Sequence, residues 1–280
     1  MPHIHLEVSD LDAALVDDLD WGGTILTIGG HEQSHVNPAD PREIRYEYLR
    51  RIANVLDEGF ETGAPITILH LGAGALTLAR YVQATRPGSM QLAVDIEPRL
   101  VTFVLENLPL PAGTRLEHRV GDALAQVRAL SQEHAGPASA SASASSGRVR
   151  RFHAAVLDVF SGKETAPHLA TADFYGAALD VLDAEAEDPG VLLVNIGDDE
   201  PQRFLAAQAR ELLAACAERG YPEPWILTDA HVAHSRATGN SILVAGPLTA
   251  REDFVQIASR VRALGPHPAV VEPWRDVLGG

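Results

Sequence analysis

The sequence has a single cysteine, Cys216, among 280 residues, so the chain cannot form an internal disulfide bond. Structural disulfides belong to oxidising compartments, and a chain without them is typical of the reducing cytoplasm. The first ten residues lack the basic start and apolar run of a signal peptide, and no stretch approaches the about 20 apolar residues of a membrane helix. We therefore expect a cytoplasmic protein with no membrane partner.

Basic residues are also scarce. The chain has 22 Lys and Arg against 38 Asp and Glu, which gives a formal net charge of −16. Binding to a nucleic-acid backbone requires clustered basic side chains, so a nucleic-acid partner is not expected. An acidic surface serves solubility in most proteins, and it also suits a cationic small molecule. With 46% hydrophobic residues, the chain can form one large core with a small appendage.

From residue 66 onward, short apolar runs alternate with helical patterns. The predicted strands are 66–71, 92–96, 115–120, 152–159, 191–196, 225–228 and 241–246, and a last helix covers 250–263. This alternation predicts right-handed βαβ units in an α/β fold with a Rossmann-like, mostly parallel sheet. No full helix fits between the last two strands, which predicts an antiparallel terminal hairpin.

The chain divides into a short extension and a large domain. Residues 1–60 are expected to form a β-hairpin, including a strand at 21–28, followed by a helix at 44–56. Residues 61–280 form the predicted Rossmann-like domain. Within it, residues 136–147 (GPASASASASSG) have low complexity and predict a flexible surface loop.

In an open parallel sheet, ligands bind beyond the carboxyl ends of the strands. Gly72 and Gly74 follow the first strand of the large domain, where absent side chains let a ligand approach the backbone. The alternative for both glycines is a tight turn. A third glycine at the dinucleotide spacing is missing, which argues against NAD.

Acidic residues follow the next two strands. Asp95 lies 21 residues after Gly74, where a carboxylate can accept hydrogen bonds from both hydroxyls of a ribose. Asp122, in VGDA, can accept from an exocyclic amine while the backbone around Ala123 faces a ring nitrogen. The alternative in each case is a helix N-cap, formed by Asp95 or Glu97 before one helix and by Asp122 before the next. The order and gaps of these residues predict a nucleoside site.

Asp158 ends the fourth strand, in VLDVFSG, and would face the reactive end of such a nucleoside. It could orient and deprotonate an amine or hold a cationic group, or it could simply cap a loop. The loop 161–172 that follows could act as a lid. Gln33, Tyr46 and Glu47 are candidate pocket walls.

Other kinds of catalytic site find little support in the sequence. His231 and His234 lie near Asp229 without a further strong ligand, so no metal site is expected. His70 lies in a buried strand and is expected to be a satisfied core residue. No G-x-S-x-G elbow occurs, so hydrolase chemistry is unsupported.

These residues resemble the spermidine synthase family of aminopropyltransferases, which have the class I methyltransferase fold. The similarity runs from Gln33 to about Pro247 through QSHVNPADPREIRYEYLRRIANVL, ILHLGAGALTLARYV, LAVDIEPRLV, VGDA, VLDVFSG and TGNSILVAG. The resemblance implies that Gly72 and Gly74 line the nucleoside, Asp95 binds ribose and Asp122 reads adenine. It also implies that Asp158 assists attack by an amine and that Gln33 lies near the propylamine arm of decarboxylated S-adenosylmethionine. A homodimer is a further implication.

Two departures from the family pattern keep other functions open. The family's glycine loop reads G-G-G-D-G, and its aspartate, which grips the aminopropyl ammonium, is replaced by Ala75. The second aspartate of the strand-four motif D-x-x-D-P is replaced by Ser161. A methyltransferase that uses S-adenosylmethionine itself is therefore an alternative to aminopropyl transfer. A non-catalytic relative that binds a nucleoside is a second alternative.

Overall fold

A computed structural model describes residues 1–135, 151–159, 167–184 and 189–278. The low-complexity loop 136–147 and Ser161 lie outside the described residues, as does the first half of the lid expected at 161–172. None of the described helices combines the length and apolar character that crossing a membrane requires.

The N-terminal extension contains a four-stranded antiparallel sheet. Its strands follow chain order and are β1 (His3–Leu6), β2 (Leu11–Asp17), β3 (Thr24–Ile28) and β4 (His31–Val36). The sequence predicts a hairpin here, with a strand at 21–28, and the structure has four strands. Alternate residues of the strands, such as Leu15 and Leu26, are buried against Phe103 and Val104 of the large domain. One face of the small sheet is thus apolar and packed, as in antiparallel sheets generally.

The large domain is built on an eight-stranded sheet. Its strands are β5 (Thr67–Leu71), β6 (Met90–Asp95), β7 (Arg115–Val120), β8 (Ala154–Leu157), β9 (Val191–Asp198), β10 (Trp225–Asp229), β11 (Gly239–Ala245) and β12 (Ala269–Pro273). Their order is β12-β10-β11-β9-β8-β5-β6-β7, and β5 to β9 are parallel. The pairing of β10 with β11 is antiparallel, as is that of β10 with β12. This confirms the predicted α/β class and the antiparallel terminal pair, while β12 was not predicted.

Nine α-helices are described. They are α1 (Glu47–Gly59), α2 (Thr77–Thr85), α3 (Leu100–Asn107), α4 (Ala123–Ala135), α5 (Ala172–Asp180), α6 (Arg203–Glu218), α7 (Ala230–Ser235), α8 (Phe254–Leu264) and α9 (Trp274–Leu278). Helix α1 begins three residues later than expected because the chain is still extended at Tyr46. Helix α8 begins later than expected because a 3₁₀ turn occupies Pro247–Ala250.

The core lies on both faces of the large sheet. Successive residues of a strand point to opposite faces, and in β5 Leu69 and Leu71 join the apolar cluster that includes α5 and α6, whereas Ile68 joins the one that includes α1 and α8. Burial of both faces explains why the parallel strands read as continuous apolar runs.

Strand β5 occupies the point where the order of the sheet reverses. From β5 the chain builds outward through β6 and β7, and it then returns to the other side of β5 for β8 and β9. In parallel sheets this reversal opens a crevice at the carboxyl ends of the strands. The loops after β5, β6, β7 and β8 therefore converge on one place.

Candidate functional site

A cavity of about 1090 Å³ opens at this reversal point. It lies beyond the carboxyl ends of the parallel strands and is closed on one side by β4 and α1. The structure brings every residue that the sequence singled out for ligand binding or catalysis to its wall. These residues are Gln33, Tyr46, Glu47, Gly72, Gly74, Asp95, Asp122, Ala123 and Asp158. Their roles toward a ligand stay predictions, but their convergence on one cavity is a fact of the fold.

The glycines after β5 are required by packing within the protein. Gly72 has φ +94°, and a Cβ there would overlap the carbonyl of Asp158. Gly74 has φ +49°, and a Cβ there would overlap the hydroxyl of Ser34. Leu76 follows with φ +60°, a backbone conformation that residues other than glycine rarely adopt. The tight-turn reading therefore explains the two glycines without reference to a ligand.

Strand β4 holds the glycine loop from the side of the small sheet. The N–H of Ala75 donates to Ser34 Oγ at 3.1 Å, and Thr77 Oγ1 donates to the His35 carbonyl at 2.8 Å. Ala75 is fully buried in the apolar cluster that joins the two sheets. The position at which the family resemblance would place an ammonium-binding carboxylate thus holds a methyl group in apolar surroundings.

Asp95 is held by backbone N–H groups. Its Oδ2 accepts from Ala73 N–H and its Oδ1 from Glu97 N–H, both at 2.9 Å. Burial raises the pKa of Asp95, and these hydrogen bonds oppose the rise without cancelling it. Each carboxylate oxygen has a second lone pair, which leaves acceptors for further hydroxyl groups.

The alternative role considered for Asp95 and Glu97, an N-cap of the next helix, is not what the structure shows. The N-cap of α3 is Arg99. Glu97 instead accepts hydrogen bonds from Val8 N–H at 3.1 Å and Ser9 N–H at 2.6 Å. It therefore ties the β1–β2 turn to the edge of the cavity.

The two carboxylate oxygens of Asp122 have different partners. Its Oδ1 accepts from Ala125 N–H at 3.0 Å in the first turn of α4, as an N-cap does. Its Oδ2 lies 2.5 Å from Nε2 of His168, which itself lines the cavity. Partial burial raises the pKa of Asp122, but the hydrogen bonds from Ala125 and His168 outweigh it, so the pKa is lowered. Asp122 is thus an anion at neutral pH with one oxygen directed away from the helix.

Asp158 is held by side chains from two other elements. Tyr48 of α1 donates to its Oδ2 at 3.0 Å, and Asn195 of β9 donates to its Oδ1 at 2.8 Å. Asn240 of β11 in turn donates to Asn195 Oδ1 at 3.0 Å, which fixes the amide orientation. Burial raises the pKa of Asp158, and the bonds from Asn195 and Tyr48 lower it by less. A carboxylate oriented in this way, with a raised pKa, is suited to accept a proton.

Most of this network could not be predicted from the sequence. The spacing of Tyr48 fits the apolar face of its helix, so nothing in the pattern indicates a polar contact. Asn195 and Asn240 were not singled out. A lone amide in the apolar run VLLVNI was the signal available, since a buried amide needs hydrogen-bond partners.

The remaining predicted wall residues differ in their surroundings. Tyr46 donates to Glu32 Oε2 at 3.0 Å and stacks on Tyr48 with ring centroids 6.2 Å apart. Burial, with Glu32 nearby, raises the pKa of Tyr46. Glu47 accepts from Arg51 Nη1 at 3.1 Å. Gln33 is half-buried in β4.

The cavity wall is strongly acidic. Its carboxylate residues are Glu32, Glu47, Asp95, Glu97, Asp122, Asp158 and Asp229. Among the described lining residues, Arg51 is the one arginine or lysine, and it lies against Glu47 at 3.1 Å and Asp229 at 3.7 Å. Low-dielectric walls with one sign of charge attract ligands of the opposite sign. The cavity therefore favours a cation.

Comparison with known proteins gives structural likenesses only. No protein-family profile and no curated protein matches the chain. A probable spermidine synthase from Corynebacterium glutamicum superimposes with a TM-score of 0.75 at 22% identity, covering 99% of this chain and 93% of that one. Spermidine synthase from Thermotoga maritima gives a TM-score of 0.54 at 14% identity, covering 87% and 72%. Human methyltransferase-like protein 13 in complex with SAH gives a TM-score of 0.54 at 18% identity, covering 78% of this chain and 91% of that one.

These likenesses show the fold. The chain has the architecture shared by spermidine synthases and class I methyltransferases, as the sequence motifs implied. The first likeness covers nearly the whole chain, so it includes the N-terminal sheet as well as the large domain. The resemblance to spermidine synthases noted in the sequence thus extends to the three-dimensional structure.

Proposed function

We propose that this protein is a transferase that moves an aminopropyl group from decarboxylated S-adenosylmethionine to an amine. One observation carries the proposal. The carboxylate of Asp158, oriented by Tyr48 and Asn195, opens on the same acidic cavity as Asp95 and Asp122. A nucleoside bound to Asp95 and Asp122 would direct its 5′ substituent toward Asp158.

The nucleoside pose follows from the free acceptors. The ribose diol would donate to the remaining lone pairs of Asp95. The purine amino group would donate to Oδ2 of Asp122, with its ring beside the backbone at Ala123. This pose requires His168 to give up its contact with Asp122, or to share it. The structure of human methyltransferase-like protein 13 that resembles this fold contains SAH, a nucleoside of the same class.

The transfer step requires a neutral amine. Its nitrogen lone pair would attack the propyl carbon bonded to the sulfonium, the C–S bond would break, and its electron pair would return to sulfur as 5′-methylthioadenosine leaves. The nitrogen of the ammonium formed by this attack would then release one of its protons to Asp158. Burial raises the pKa of that carboxyl, which brings it nearer to the range in which a general base works well.

The charge of the cavity favours the decarboxylated donor. That molecule carries a sulfonium and an ammonium and has no carboxylate. The methionine carboxylate of S-adenosylmethionine would instead enter an acidic wall, where like charges repel.

Methyl transfer is the second candidate, and Ala75 is the observation that favours it. With an apolar residue buried at that position, the glycine loop offers no carboxylate to hold the donor's ammonium or to repel a methionine carboxylate. A buried ammonium without a partner is costly. The two candidates therefore differ in the donor that they require.

Calorimetric titration with the two donors separates these functions. We expect decarboxylated S-adenosylmethionine to bind at least about tenfold more tightly than S-adenosylmethionine, which corresponds to about 1.4 kcal/mol. Equal or tighter binding of S-adenosylmethionine would overturn aminopropyl transfer in favour of methyl transfer. Binding without turnover of either donor, across a panel of amines, would favour the non-catalytic alternative.

A further inference from the structure

His70 lies in the floor of the cavity and has a fixed tautomer. It belongs to β5, is 5% exposed and lines the cavity. Its Nε2 lies 2.9 Å from Oε1 of Gln91. Gln91 Nε2 donates to the Ala79 carbonyl at 3.0 Å, which sets the orientation of that amide. Because Gln91 Oε1 can only accept, Nε2 of His70 must carry the proton and Nδ1 must carry a lone pair.

The Nδ1 lone pair is not used within the described part of the chain, where no hydrogen bond reaches it. Burial lowers the pKa of His70 to about 4, against a smaller opposing effect of Gln91, so the ring is neutral at pH 7. Nδ1 of His35 is buried without a partner and lies away from the cavity, whereas Nδ1 of His70 is not buried in this way and is open to the cavity. The expectation that His70 is a satisfied core residue is therefore right for only one ring nitrogen.

The register of the sheet places His70 just beneath the transfer network. In the parallel pair β5–β8, His70 is the partner of Val156, and Asp158 lies two residues further along, so its side chain is on the same face. Asn195 follows the same register on β9. A ligand group that reaches the bottom of the cavity below Asp158 would meet His70.

We propose that Nδ1 of His70 accepts a hydrogen bond from an alkylammonium group of the ligand. The acidic wall selects a cation, and a neutral imidazole lone pair receives an N–H donor without adding a competing positive charge. This inference rests on the proposed function and names a residue that would recognise the amine. The alkylammonium can come from the aminopropyl arm of the donor or from the acceptor amine, and both carry the same chemistry.

Two substitutions separate the two nitrogens of the ring. Glutamine in His70→Gln reaches about as far as Nε2, so it keeps the contact with Gln91 and supplies no acceptor at the position of Nδ1. Asparagine in His70→Asn ends near Nδ1, so it supplies that acceptor and gives up the contact with Gln91. Each variant thus controls for the other.

Calorimetry would measure three affinities for the wild type and both variants. The probes are 5′-methylthioadenosine, which has no amine, decarboxylated S-adenosylmethionine, and putrescine added to the complex with 5′-methylthioadenosine. We expect His70→Gln to weaken one of the two amine ligands by roughly tenfold or more, with 5′-methylthioadenosine unchanged and His70→Asn close to the wild type. Loss confined to decarboxylated S-adenosylmethionine would assign the donor's ammonium, and loss confined to putrescine would assign the acceptor.

The other outcomes overturn the inference in distinguishable ways. Unchanged affinity for both amine ligands in His70→Gln would refute the role of Nδ1 alone. An equal loss of affinity for 5′-methylthioadenosine would show that the substitution perturbs the whole site, and it would also refute the role of Nδ1. If the wild type itself does not bind 5′-methylthioadenosine, the proposed function fails, and this inference fails with it.

A measurement on the wild type removes the dependence on variants that fold. Nitrogen NMR of the labelled imidazole distinguishes a bare ring nitrogen from one that accepts a hydrogen bond. We expect the Nδ1 resonance of His70 to move on adding the amine ligand and to stay in place on adding 5′-methylthioadenosine. An Nδ1 resonance that does not respond to either amine ligand would contradict the proposal.

Discussion

The two ends of the cavity hold their carboxylates by different means. At the nucleoside end, formed by Asp95 and Asp122, the partners include backbone N–H groups of the same or an adjacent loop. At the transfer end, formed by Asp158 with Tyr48 and Asn195, the partners are side chains from distant elements. The first arrangement depends on loop geometry, and the second depends on how the whole sheet and α1 pack together.

The difference determines what each end can tolerate. Backbone donors cannot be removed by substitution, so the nucleoside end keeps its loop shape as long as the acids remain. Side-chain donors can be removed singly, so the transfer end can be tuned one bond at a time.

The substitution Asp158→Asn should have the largest effect, and it should separate the two ends. Removing the proton acceptor should lower kcat by roughly 10²- to 10⁴-fold, the usual contribution of a general base. Affinity for 5′-methylthioadenosine should stay the same, since the nucleoside end is untouched. Steady-state kinetics with decarboxylated S-adenosylmethionine and calorimetry check the two parts. Undiminished turnover would remove Asp158 from the mechanism.

Asp95→Ala should damage the other end. Loss of a charged acceptor for two ribose hydroxyls should weaken 5′-methylthioadenosine by about 100-fold or more, because hydrogen bonds to charged groups contribute about 1.5–3 kcal/mol each. Asp95→Asn is the matched control. It keeps one carbonyl acceptor, so its affinity for 5′-methylthioadenosine should lie between those of the wild type and the alanine variant. Calorimetry gives all three affinities, and full affinity in the alanine variant would show that the ribose lies elsewhere.

His70 should make folding stability depend on pH. Its pKa is lowered to about 4 in the folded protein from 6.5, so between these values the unfolded chain binds more protons. Stability should therefore fall as the pH drops from about 6.5 to 4, by roughly 3 kcal/mol from this residue. Urea unfolding of the wild type and His70→Gln measures the difference between their pH profiles. Parallel profiles would contradict the fixed neutral state of His70.

Tyr48→Phe should give the smallest effect. The hydroxyl donates to the charged form of Asp158 and lowers its pKa, so its removal should raise that pKa. The acidic limb of the kcat profile should then move to higher pH, by about one unit or less. Tyr46→Phe removes a hydroxyl that is bonded to Glu32 instead, and it should leave the position of that limb unchanged. A limb that moves equally in both variants would argue against the specific bond.

The contrast between the two ends also explains what the sequence could reveal. Asp95 and Asp122 were found because strand ends can be located from apolar runs, and the fold then brings their loops together. The contact between Tyr48 and Asp158 joins residues 110 positions apart, and no local pattern encodes it. Helical spacing assigned Tyr48 to an apolar face, and strand burial assigned His70 to the core. Both assignments describe the burial of the ring correctly, but neither predicts the hydrogen bonds of the Tyr48 hydroxyl or of the His70 nitrogens.

Two elements of the fold were not predicted correctly, and in both cases the reason is the local sequence. Strand β12 was missed because prolines at 266 and 268 precede it and Pro273 is its last residue, and proline is typical of edge strands and loops. The small sheet was reduced to a hairpin because His3–Leu6 and His31–Val36 carry several polar residues and show only part of the expected alternation. In the folded chain these two strands form by pairing with β2 and β3, respectively.

A crystal structure with 5′-methylthioadenosine bound would be the most direct test of a nucleoside site at the reversal point of the sheet. We expect the ribose diol within hydrogen-bond distance of Asp95, the purine amino group at Asp122 in the place of His168, and the thioether pointing toward Asp158. A nucleoside that binds outside this cavity, or one whose sugar and base contact neither acid, would contradict the account.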